Sequence, residues 1–338
     1  MLTRPDGCRW AEYSWKNLRL LFMENDLLRL QILLDKGTDI VEFLYKPADL
    51  NFLWRSPTPF YQLPRISQLP PGATGCFLDA YPGGWQEIFP NAGLPCQYKG
   101  ASLGLHGEVA LLPWDYQVLV DTAEQLSLCF SVFTVRTPFS LRKILTLKRG
   151  QPSLTIEEEV TNLAAETMDF CWGHHPALGP PFLSSECRIK LAGATVTVCP
   201  GDGQAVTNLA PGKGSWPLVA GKDGKIVDIS LSPGEDDCVS DNILLTDLSE
   251  GAYEIVNSRL KIGFRLEFSL DVFRCLWFWR VARGSFHYPW YGRTYTVALE
   301  PFSSLPQLSE AVKRGDQLTL APGGKMAAKL VASVVSLQ

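Results

Sequence analysis

The chain has 338 residues, 46% hydrophobic and 20% charged, a composition that excludes a disordered protein. Its 31 basic and 35 acidic residues leave a net charge of -4 with no basic run, which argues against a nucleic-acid partner. No apolar stretch approaches the roughly 20 residues of a membrane-spanning helix, so no membrane partner is expected either.

Strand signals dominate from the N-terminus onward. LLRLQILLD and TDIVEFLYK are two expected strands joined at Lys36-Gly37. From Trp54 to Pro113 the chain is rich in glycine and proline and reads as long irregular loops, which in a compact β protein are usually functional. YQVLVDTAEQLSLCFSVFTV and SLRKILTLKRGQPSLTIEEEVTN return to near period-two alternation, with RGQPS as a turn and Glu157–Glu159 on a strand with one wet face. Further strands are expected at RIKLAGATVTV, KIVDISL, NILLTDL, YEIVNS, KIGFRLEFSL, CLWFWRV, YTVALEPF and AAKLVASVVSL. The one helix candidate is LPQLSEAVKRGD, capped by Ser309 and ended by Gly315. Nothing resembling a linker divides the chain. The expectation is an all-β protein: one domain over residues 1–338, a large antiparallel β-sandwich with its two sheets face to face.

Nine cysteines without a C-x-x-C pair read as reduced thiols, and the opening MLTRPDGCRWAEYSW lacks the apolar core of a signal peptide. A cytoplasmic location is expected.

Four stretches carry candidate chemistry. YPGGWQEIFPNAG (81–93) combines turn-forming glycines and prolines with Trp85, Gln86, Glu87 and Asn91, which offer an apolar face and hydrogen bonds. LGLHGEVALLPW (103–114) places His106-Gly107 where loop gives way to strand. WGHHPALGPPF (172–182) holds His174 and His175; in an extended segment they face opposite ways, so they are not expected to share one job. RTYTVALEPF (293–302) ends an apolar strand on Glu300-Pro301. Taken alone, His106 and Glu300 are more readily structural residues than functional ones, while the His174-His175 pair is as readily one as the other.

In order along the chain, His106-Gly107, His175-Pro176, Asp241-Asn242 and Glu300-Pro301 resemble the short motifs of the aldose 1-epimerase (galactose mutarotase-like) family. YPGGWQEIFPNAG and FHYPWYGRTYTVALEP look like the approaches to the first histidine and to the glutamate. The resemblance spans nearly the whole chain and implies a β-supersandwich that interconverts the anomers of a monosaccharide. It makes Glu300 the base for the C1 hydroxyl, His175 the acid for the ring oxygen, His106 a hydrogen-bonding partner near that oxygen and Asp241 a ligand of sugar hydroxyls. A raised imidazole pKa, supplied by a carboxylate, is then expected at His175. One acid and one base suffice, so neither cofactor nor metal is expected.

The chain departs from the family pattern after His175-Pro176, where Ala177, Leu178 and Gly179 replace an aromatic residue and an asparagine. Trp85, Trp277 and Trp279 are candidates for stacking on a pyranose, the last two from one strand face. Two alternatives stay open. One is a sugar-phosphate or sulfonated-sugar epimerase, whose anion clamp would draw on Arg55, Arg65, Arg280 and Arg293; the other is a non-catalytic carbohydrate-binding protein.

Overall fold

The computed structural model describes residues 4–15, 18–57, 75–200 and 205–337. Among them, two large antiparallel sheets of 14 and eight strands form the body of an all-β sandwich. The eight-stranded sheet runs, by neighbour, through Cys187–Lys190, Ala252–Asn257, Ile262–Phe268, Lys325–Ser336, Ser153–Asn162, Phe139–Lys148, Gln125–Phe133 and Asp115–Asp121. The centre of the 14-stranded sheet runs through Asp39–Tyr45, Trp85–Ile88, Gly173–Leu178, Tyr295–Phe302, Cys275–Ala282 and Val239–Thr246.

Alternation along the strands builds the layer between the sheets. In CLWFWRV, Leu276 and Phe278 are fully buried on one face, while Trp277 and Trp279 emerge half-buried on the other. The sheets meet through the Phe43 and Phe264 rings, 5.7 Å apart and edge to face, and through the Tyr253 hydroxyl, which donates to the Leu299 carbonyl at 2.8 Å.

Two local expectations change. The helix is Leu308–Arg314 with Gln307 at its N-cap, so Ser309 lies inside it, although Gly315 does stop it at a left-handed φ of 77°. Within the irregular stretch the chain forms a one-turn helix, Gly75–Asp79, and a strand, Trp85–Ile88, that enters the large sheet. Pairing with Gly173–Leu178 imposes that strand despite its poor local signals. The strand of Glu157–Glu159 has the one wet face expected of it, that of Glu157 and Glu159, and Glu158 takes the other. It points between the sheets, where His174 Nε2 lies 2.9 Å from its carboxylate.

Candidate active site

The adjacent histidines take opposite faces of one strand. His174 points into the layer between the sheets, where the Trp85 indole donates to its Nδ1 at 3.1 Å. That bond leaves the hydrogen on Nε2, which donates to Glu158. Burial depresses the His174 pKa to about 3 and raises that of Glu158 to about 7, so both neutral forms are favoured. Lys143 completes the cluster: its ammonium sits 3.0 Å from Glu87 and 4.7 Å from the Trp114 ring centre.

His175 faces the other way, into a cavity of about 420 Å³ on the outer face of the large sheet. Register brings its partner. Gly173 pairs with Phe302 and Ala177 with Ala298, which sets His175 level with Glu300 on the neighbouring strand. His175 Nε2 and Glu300 Oε1 are 3.4 Å apart, and the residues are 5% and 1% exposed. Glu300 Oε2 is buried and has no hydrogen-bond partner among the described residues. On the far side of the imidazole, Nδ1 lies 3.3 Å from the Tyr81 hydroxyl.

The electrostatics reverse one expectation. Burial pushes the Glu300 carboxyl well above its ordinary range. Burial first, and then the nearby His106, push His175 well below the ordinary imidazole value. Both shifts favour a carboxylic acid beside a neutral imidazole over a carboxylate beside an imidazolium. Together the two groups hold one exchangeable proton.

His106 reaches the cavity from a left-handed residue, φ 58°, followed by Gly107 at φ 75°. Its Nδ1 donates to the Ala92 carbonyl, and burial lowers its pKa to about 4. The remaining ring nitrogen, Nε2, then carries a lone pair. In that tautomer it can accept from a ligand hydroxyl but carries no hydrogen to donate to a ring oxygen. Its ring lies edge-on to Phe77 at 4.6 Å and to His175 at 5.5 Å.

The walls are aromatic: Phe77, Tyr81, Trp277, Trp279 and Trp290 line the cavity with Leu78, Leu94 and Leu105. His287, Tyr288 and Asn242 complete the lining, and no described lysine or arginine contributes. Trp279 thus stands where the sequence reading placed it. Asp241 does not: it faces away, its Oδ2 2.6 Å from Arg280 Nε, and its neighbour Asn242 takes the cavity position level with Trp279. The Asp241-Asn242 dipeptide was visible, but which member faces the cavity depends on pairing with the tryptophan strand.

Four further expected sugar ligands are committed elsewhere. Trp85 bonds His174, and Glu87 takes Lys143 and the Trp172 indole, all between the sheets. Gln86 shares the face of His175 but is sealed, donating to Asp39 and to the Gly83 carbonyl. Asn91 pins the loop by donating to the Leu94 and Gly104 carbonyls, and it accepts from the Leu308 N–H that opens the helix. They support the site from behind. The sequence reading gave Tyr81 and Phe77 no role; only their position on the covering segment reveals one.

Of the four arginines weighed for an anion clamp, Arg65 lies outside the described residues. Arg280 is held by Asp241 on the opposite face. Arg55 and Arg293 line a separate depression of about 490 Å³. Trp54 lines that depression too, and its ring packs against Tyr81, Trp279 and Trp290 of the cavity wall.

Solved structures share this fold. A galactose mutarotase-like protein from Clostridium acetobutylicum superimposes with a TM-score of 0.69 at 15% identity, covering 97% of this chain and 98% of that one. A Klebsiella pneumoniae protein provisionally named an aldose 1-epimerase gives 0.74 at 15%, covering 98% and 85%. A galactose mutarotase-related enzyme from Lactobacillus acidophilus gives 0.63 at 15%, covering 97% and 98%. The sequence matches no curated protein. The fold is galactose mutarotase-like, and by the match of residues 16–334 the chain belongs to the family described as a domain of unknown function, DUF4432.

Proposed function

We propose that this protein is an aldose 1-epimerase that interconverts the α and β anomers of an uncharged monosaccharide without a cofactor. The observation that carries the reading is the facing pair of His175 and Glu300, with an unpartnered carboxylate oxygen, on the floor of an aromatic cavity.

In this reading the shared proton crosses from Glu300 to His175 over their 3.4 Å contact when the sugar is bound. Glu300, now a carboxylate, takes the proton of the C1 hydroxyl. His175 gives its proton to the ring oxygen, and the C1–O5 bond breaks to an open-chain aldehyde. The pair is then again a carboxylic acid and a neutral imidazole, the form that burial favours. Rotation about C1–C2 and closure on the other aldehyde face reverse both transfers and release the other anomer. Nε2 exchanges the proton only if Nδ1 keeps its hydrogen, which the Tyr81 hydroxyl oxygen accepts. Indole and phenyl faces suit the C–H side of a pyranose, and the lack of a described cation in the wall favours a neutral sugar over a phosphate. The described cysteines are free thiols, which accords with a reducing, cytoplasmic location.

Polarimetry of freshly dissolved α-glucose and α-galactose, with and without protein, tests the activity. Wild type should speed the approach to equilibrium rotation, and Glu300→Gln should lose about 10²-fold or more while still binding sugar. Sugar binding without acceleration would make the protein a carbohydrate-binding module instead.

A further inference from the structure

Two buried polar atoms in the cavity region lack partners among the described residues, and they come from adjacent strands. One is Glu300 Oε2, an acceptor when ionised; the other is Trp277 Nε1, a donor only. Register pairs Trp277 directly with Glu300. Both residues line the cavity. A buried indole N–H without a partner costs free energy in the empty protein, and with an unpartnered carboxyl oxygen on the residue paired to it, it points to a ligand group that meets both.

A hydroxyl is such a group. It donates one hydrogen and accepts another, and at C1 of a sugar it is the group that must lose its proton. Asn242 and Trp279 also line the cavity, but Asn242 is exposed and the two stand level with each other rather than with Glu300. Tyr81 is committed to His175 and the Tyr288 hydroxyl to Asp79, while His106 presents a lone pair.

Resting on the epimerase reading above, we propose that Trp277 is a catalytic residue whose indole N–H binds the C1 oxygen while Glu300 removes its proton. As the O–H bond breaks and negative charge gathers on that oxygen, the hydrogen bond from the indole strengthens. When the C1–O5 bond opens the charge on that oxygen is discharged, the hydrogen bond weakens, and the aldehyde oxygen leaves the N–H as C1–C2 rotates. The donor is fixed before reaction, so it stabilises the charged state without reorganising. Trp279, one pleat along the same strand face and level with Ala298, has no carboxylate opposite it and supplies a stacking wall.

The test compares Trp277→Phe with Trp279→Phe in the full-length protein, using galactose and glucose as probes. Removing the N–H but keeping an aromatic ring at 277 should lower kcat about 10²-fold with KM changed less than threefold. The change at 279 should raise KM and spare kcat. A second readout is independent of turnover: in ¹⁵N-tryptophan-labelled protein, the indole resonance lost in Trp277→Phe should move downfield when galactose is added to wild type. Retained kcat in Trp277→Phe, or an unmoved Trp277 resonance at saturating sugar, overturns the assignment. Absence of mutarotation in wild type, with that resonance still shifting, refutes the epimerase reading and leaves Trp277 as a sugar ligand, not a catalyst.

Discussion

At the scale of single residues, environment separates chemically identical side chains. His174 and His175 are neighbours in sequence and both are buried, yet one is bracketed by an indole and a carboxyl in the core and the other opens on the cavity. His175→Asn should therefore abolish turnover with little change in denaturation midpoint. His174→Asn should instead cost about 1–3 kcal/mol by leaving Glu158 or Trp85 short of a partner, and should retain most activity in the surviving folded fraction. Urea unfolding and polarimetry on the same preparations separate the two, and the reverse pattern would mean that the strand faces are exchanged. Tyr81→Phe removes the acceptor that keeps hydrogen on Nδ1, so kcat should fall about tenfold with KM nearly unchanged. An unchanged kcat would show that His175 needs no help in holding its tautomer.

At the scale of elements, the approach to the cavity rests on a bend that only certain residues tolerate. A Cβ at Gly107 would lie 2.2 Å from the Phe89 carbonyl oxygen, and its φ of 75° already disfavours any other residue. Gly107→Ala should destabilise the protein by about 1–3 kcal/mol. It should also displace His106, whose Nδ1 bond to Ala92 spans the same bend, so that thermal shift and kcat/KM fall together. Loss of stability with full activity would detach the bend from the site. The strands themselves are readable from alternation, which also puts His174 and His175 on opposite faces; that His175 is the one to face the cavity follows from the family resemblance of His175-Pro176, not from the period. What alternation does not carry is which strands pair and in what register. Pairing with Trp279 turns Asn242 to the cavity and Asp241, the residue the family resemblance implies, away from it, and Trp85, Gln86, Glu87 and Asn91 read as sugar ligands for want of the same pairing information. Their residue types suit a sugar, but tertiary partners claimed them first.

At the scale of the whole molecule, the two partners of the core cluster, Glu158 and His174, respond to pH in opposite senses. Glu158, with a native pKa of about 7, binds its proton more readily folded than unfolded, so its contribution is complete below about pH 4.5 and fades as pH rises toward 7. His174, at about 3, does the reverse: its contribution is present above about pH 6.5 and is lost as pH falls toward 3. Between pH 4.5 and 6.5 the two slopes oppose, so the pair's joint contribution, read as the difference in chemical denaturation between wild type and a variant lacking both groups, should be nearly flat there and fall below 4.5. Catalysis needs one proton on the His175–Glu300 pair. Activity should persist well below pH 6.5, because His175 resists a second proton, and should fall at high pH when Glu300 gives up the only one. A half-loss of kcat near pH 6.5 would indicate an ordinary imidazole.

The strand Gly173–Leu178 gives its two faces to two separate tasks, one in the core and one in the cavity. An inserted or deleted residue before His174 would exchange them, sending the reactive imidazole inward and the structural one outward. Sequence change here is thus confined to substitution. Length variation, tolerated in surface loops, would here remove folding support and chemistry in a single step, so lineages of this protein should drift in residue identity along the strand while its length stays fixed.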